Sequence, residues 1–197
     1  SLVSNISKAP ENMANPLDLK GKTFYEALEL YHLKNRFPNS IDEITSQIKF
    51  VSAKMGSKTI TSKSIIVFND DIVQSIMSDP DNMMVSIVQS SSLGSAAKTD
   101  LIVFLQNLIS RRQLEFDVNY NFIVSYENTV ILNQTFSADD KDTILTVTSI
   151  SRYSLYSESE RKDRDWETSV GSKMAKPFFK SNQVSIISII ALLHQLI

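Results

Sequence analysis

The sequence predicts a mixed α+β fold. It would consist of a long antiparallel β-meander over about residues 113–156 and an N-proximal hairpin, covered by helices that include an apolar C-terminal one. Three observations predict it. Leu114, Phe116, Val118, Tyr120, Phe122, Val124 and Tyr126 alternate with mostly polar residues, the period of a strand with one buried face. Residues 129–136 and 143–156 follow turn-forming stretches, and the second is rich in Thr, Val, Ile and Tyr, which fit a pleated surface. Helical periods fall in separate runs and not in steady alternation with strands, which favours α+β over a parallel α/β sheet.

The elements follow in chain order. Residues 1–21 read as an arm, because Pro10, Pro16 and Gly21 interrupt any period. Thr23 and Glu26 have the spacing of a capping box, and Phe24, Ala27, Leu28 and Tyr31 share one helical face. Pro38 ends that helix near Arg36. Asn39-Ser40 caps a second helix through Ile48, with Asp42 and Glu43 in the first turn, where the helix dipole favours anions. Residues 48–54 and 59–68 read as the hairpin, around Met55-Gly56-Ser57. Residues 69–78 form a short helix stopped by Asp79-Pro80, and the compact apolar run 83–89 reads as a buried strand. A Ser/Gly loop at 90–95 leads into a helix at 96–112 with Leu101, Phe104, Leu105 and Leu108 on one face. The meander turns at Glu127-Asn128 and at 138–142. A charged loop at 157–172 carries the only tryptophan, Trp166, and Pro177 precedes a closing helix at 182–197. The domain organisation expected is an arm at 1–21 and a single α+β domain at 22–197.

Composition narrows the function classes. The 197 residues include 20 basic and 22 acidic ones, a formal charge of −2, without the basic surplus that releases counterions from a polynucleotide. With no cysteine, disulfides and thiolate-bound metals are excluded. The apolar run 184–197 has 14 residues, short of the about 20 that span a bilayer, so it reads as a core helix. The chain begins at Ser1 and lacks cysteine. On that ground the reading leans toward a trimmed, exported or envelope-associated protein.

No catalytic constellation emerges. Glu29 and His32 have the i, i+3 spacing of a carboxylate–imidazole pair on a helix, but a di-iron bundle needs a second such pair and two more carboxylates; His194 has no Glu three residues before it. Asp139, Asp140 and Asp142 cluster without the glycine and closing glutamate of a calcium loop. Residues 92–99 end in Lys98-Thr99 like a phosphate-binding loop, yet Ser92 and Ala97 stand where its glycines belong. There is no nucleophile elbow. No metal, cofactor or small-molecule substrate is assigned.

The interaction candidates lie near the C-terminus. Trp166 and Arg164 sit among mixed charges, and interfaces favour Trp and Arg at their centres. Lys173, Lys176 and Lys180 flank Phe178-Phe179, a pairing that can grip an anionic lipid surface or a nucleic acid. Ile190 lies on a closing helix too apolar to leave half its circumference in water. Residues 27–44 resemble the helix-then-turn segment of exported bacterial pilin-like proteins. That is under a tenth of the chain, and Pro10 and Pro16 interrupt the place of that family's long apolar N-terminal helix. No function is carried across. The expectation is a non-catalytic protein–protein interaction or assembly domain with a protein partner or a second copy of itself. The alternatives are a small enzyme with a carboxylate-based site and a peripheral binder of anionic surfaces through 173–180.

Overall fold

The computed structural model describes residues 9–56, 68–168 and 179–197, the side chains of 162–168 excepted. Among these residues the chain is all helical and has no strand. Its helices are α1 Asp18–His32, α2 Ile41–Met55, α3 Asp70–Ser78, α4 Pro80–Gln89, α5 Ser95–Ser110, α6 Phe116–Leu132, α7 Ala138–Thr168 and α8 Gln183–Leu196.

The expected α+β fold and its β-meander are therefore not formed. Residues 113–156 fold into α6 and most of α7. The run 114–126 does not present one alternating face: Leu114 and Val118 are exposed. In α6 the buried residues are Phe116, Asn119, Ile123, Glu127 and Val130, steps of three and four that mark one face of a helix. The expected turn at Glu127-Asn128 lies inside α6. Phe122 and Tyr126, one turn apart, both stack on Phe104 of α5, with ring centroids at 5.5 and 4.1 Å and interplanar angles of 12° and 9°. The Arg111 guanidinium covers the Phe122 ring at 4.4 Å.

The β-prone stretch 143–156 becomes the centre of α7. Ile144, Leu145, Val147, Ile150, Tyr153 and Leu155 are all buried, and so are Thr148, Ser149, Ser151, Arg152 and Ser154 between them. A helix buried on every side belongs in the middle of a bundle, and α7 packs against α1, α6 and α8. Two of its hydroxyls bond back along the helix, Thr146 to Asp142 O at 2.8 Å and Ser151 to Val147 O at 2.8 Å, which satisfies them without an outside partner. The expected turn at 138–142 is the first turn of α7, capped by Ser137, whose Oγ accepts from Asp140 N at 3.1 Å. The expected charged loop at 157–172 continues α7 through Thr168.

The N-proximal hairpin is also absent as read. Residues 48–54 complete α2, and 57–67 lie outside the described residues. The expected strand 83–89 is most of α4. Asp79 ends α3 and caps α4, its carboxylate accepting from Asn82 N at 3.2 Å with Pro80 in the first helical position, where a missing N–H costs nothing. Ser40 caps α2 and Asn69 caps α3. Helix α1 begins at Asp18, ahead of Thr23, whose hydroxyl donates to Leu19 O at 2.9 Å instead of capping.

Helix α8 is the second central element. Every residue from Val184 to Leu193 is buried, and it packs against α2, α3, α4 and α7. No helix among the described residues is long and apolar enough to cross a membrane.

Candidate functional site

The most elaborate polar site lies where the arm crosses α6 and α7. Arg152 of α7 and Glu127 of α6 are both fully buried. The guanidinium grips the carboxylate with two parallel bonds, Nε to Oε1 at 2.7 Å and Nη2 to Oε2 at 3.1 Å, the fork geometry that makes such pairs strong. Thr148 Oγ1 adds a bond to Oε2 at 3.0 Å. The arm supplies the rest. Asn12 Nδ2 donates to Oε1 at 3.3 Å, and Asn15 Nδ2 donates to Oε2 and, at 2.9 Å, to Leu145 O. Arg152 Nη1 donates to Pro10 O and lies 2.8 Å from Asp18 Oδ1. The Tyr120 hydroxyl donates to Glu11 O at 2.6 Å.

A second polar cluster sits between α1, α7 and α8. Glu158 Oε1 accepts from Ser185 N at 2.9 Å and Ser185 Oγ at 2.8 Å. Tyr25 donates to Glu160 at 2.6 Å, and Arg161 lies 3.8 Å from Glu29. A cleft beside this cluster, lined by His32, Gln47, Glu158 and Arg161 among others, encloses about 10 Å³, on the order of one water molecule and far below a small-molecule site.

The sequence-derived candidates are scattered. Lys173, Lys176 and Phe178 lie outside the described residues. Trp166 and Arg164 fall on the last turns of α7 by their backbone, and their side chains are outside the described set. Phe179 is buried in the core, Lys180 is exposed, and Ile190 is 2% exposed inside the bundle. The Lys98 ammonium donates to Gln89 O at 2.8 Å, and Gly94 N donates to Asp140 at 3.2 Å, so an acidic side chain of this chain stands at the loop that resembled a phosphate cradle. His32 Nδ1 lies 3.0 Å from Asn35 O, and the described residues contain no group of three or more potential metal ligands.

Sequence reasoning missed Glu127 and Arg152. The signal was there at helical period: Glu127 falls in step with Phe116 and Ile123, and Arg152 is the one charged residue in 143–156. A lone charge on an apolar helical face marks a buried pair.

All six tyrosines are held above their ordinary value of 10.0, each chiefly by burial. At Tyr25 and Tyr126 the hydrogen bonds to Glu160 and Asp100 add to it. Because the folded phenols hold their protons longer than unfolded ones, the folded state binds more protons above pH 10.0, and stability falls as pH rises through that range. Phenolate absorbance is expected to appear together with loss of helical circular dichroism. Gradual ionisation from pH 10.0 with the helices intact would contradict this.

The fold and site define a protein that is all helical among the described residues and whose deepest polar chemistry there joins parts of its own chain. Comparison with known protein families, with characterised proteins and with solved structures finds no match to this chain.

Proposed function

We propose that this chain is a non-catalytic protein–protein interaction or assembly domain that docks a partner on the outward stripe of α1. The observation that carries the reading is the placement of Leu19, Leu30 and Leu33, which are 70%, 46% and 77% exposed. Successive helical steps through Thr23 and Glu26 put all three leucines on one line along the helix. Their opposite face, Gly21, Phe24, Ala27 and Leu28, is buried. Met13, 88% exposed, precedes the same helix. Scattered exposed leucines are ordinary, but an aligned set on one helix is the form that helix-mediated docking takes.

The test is the double variant Leu19→Asp/Leu33→Asp. Both side chains face water, so stability should change by less than about 0.5 kcal/mol per site. Association measured by light scattering of the purified chain, and by cross-linking in its native extract, should be lost. A wild-type chain that stays monomeric and cross-links to nothing that the variant loses would overturn the proposal.

A further inference from the structure

The geometry points to a conformational device: the arm over residues 9–17 is a polar-latched strap that lifts as a unit, uncovering the Glu127–Arg152 pair, while the helical bundle stays folded. Between its ends the arm is held chiefly by hydrogen bonds. Pro10 and Asn15 are buried and Leu17, at the hinge into α1, packs part-buried against the core, but Ala9, Glu11, Met13, Ala14 and Pro16 are exposed, so little apolar surface fastens the segment ahead of Leu17. Its anchors are Pro10 O on Arg152, Glu11 O on Tyr120, and the Asn12 and Asn15 amides on Glu127. Water can replace each of these once the arm lifts, which makes such an opening far less costly than separating helices packed through leucine and isoleucine.

What remains beneath the strap is self-sufficient. Glu127 keeps both Arg152 bonds and the Thr148 hydroxyl, and all three residues belong to α6 and α7. The arm also carries its own fold. Asn12 Oδ1 accepts from Ala14 N at 3.2 Å, Asn15 Oδ1 accepts from Leu17 N at 2.8 Å, and Asn15 N donates to Asn12 O at 3.1 Å. These local bonds can survive detachment, so the segment moves as one piece. Asn15 is the closing bolt. It shares both its acceptors, Glu127 Oε2 and Leu145 O, with the Thr148 hydroxyl, and so covers that side chain directly.

The chain has no cysteine, so a single introduced thiol reports opening cleanly. Thr148→Cys places it under the strap. Ser151→Cys is the control, equally buried on the same helix but bonded only along it, to Val147 O. Under native conditions the Thr148→Cys thiol should react with a soluble thiol reagent ~100-fold faster than the Ser151→Cys thiol, because local opening is far more frequent than global unfolding. Adding Asn12→Ala and Asn15→Ala weakens the closed strap and should accelerate Thr148→Cys further. Native-state hydrogen exchange of the unaltered chain gives a second reading: the Asn12 amide, which leaves the arm to donate to Asp18 Oδ1 at 3.1 Å, should exchange well before those of central α7. Equal thiol rates, or an Asn12 amide that exchanges only with the α7 core, would overturn the strap.

Discussion

Arg152→Met is expected to lower the unfolding free energy by about 3–5 kcal/mol, because it strands a fully buried carboxylate. Glu127 sits at zero exposure and receives two of its bonds from Arg152. The methionine fills similar volume, so the loss reports charge and hydrogen bonding and not a cavity. The same change leaves Asp18, 2.8 Å from the guanidinium, without its cation, although Asp18 keeps the Tyr153 hydroxyl at 3.1 Å and some contact with water. The double variant Arg152→Met/Glu127→Leu removes both charges and should recover a large part of the loss, since an apolar pair of similar volume often matches a buried ion pair. Chemical denaturation of the three proteins measures it. A single variant within about 1 kcal/mol of wild type would mean that Glu127 is not confined as described.

Gly21→Ala should destabilise the fold by about 2 kcal/mol, against the sign that helix propensity predicts. Alanine inside a helix normally gains about 1 kcal/mol over glycine. Here a Cβ would fall within 3 Å of the carbonyl oxygen and hydroxyl of Ser149 and of the Tyr153 ring. The carbonyl belongs to the backbone of α7 and cannot swing away, so α1 must move. That forfeits Gly21 N to Ser149 Oγ at 2.9 Å and Ser149 Oγ to Asp18 O at 3.0 Å. Overpacking of this kind costs about 1–3 kcal/mol and sometimes more, which outweighs the propensity gain. Thermal melting is the measurement. A Gly21→Ala protein more stable than wild type would show that α1 and α7 cross less closely.

The helices that announce themselves locally were legible. Ser40 caps α2 where the sequence placed a cap, α3 stops at Asp79-Pro80 as expected, and the apolar faces of α5 and α8 follow the helical period. The β-meander was a misreading with a definite cause. Period 2 over 114–126 and the Thr, Val, Ile and Tyr of 143–156 are side-chain patterns, and β-propensity measures fit to a half-buried surface more than any backbone preference. Two local signals pointed the other way. Ser137 and Asp140 have the spacing of a capping box ahead of an apolar run, and 143–156 is longer than an ordinary buried strand. Phe122-Ile123-Val124 also breaks the alternation with three consecutive apolar residues.

By itself the sequence determined the cysteine-free chemistry, the near-neutral charge, the cap of α2, the stop of α3 and the core destiny of α8, because each depends on residue type or on neighbours within a few positions. Only the tertiary structure decided that 116–132 and 138–168 are helical, and that Glu127, Arg152, Asn12 and Asn15 meet. Phe104 stacking on Phe122 and Tyr126, and α1, α6 and α8 enclosing α7 on several sides, provide burial all round, which a two-faced strand would not use and a central helix does. The polar latch joins residues more than a hundred positions apart, a distance over which no local period carries information.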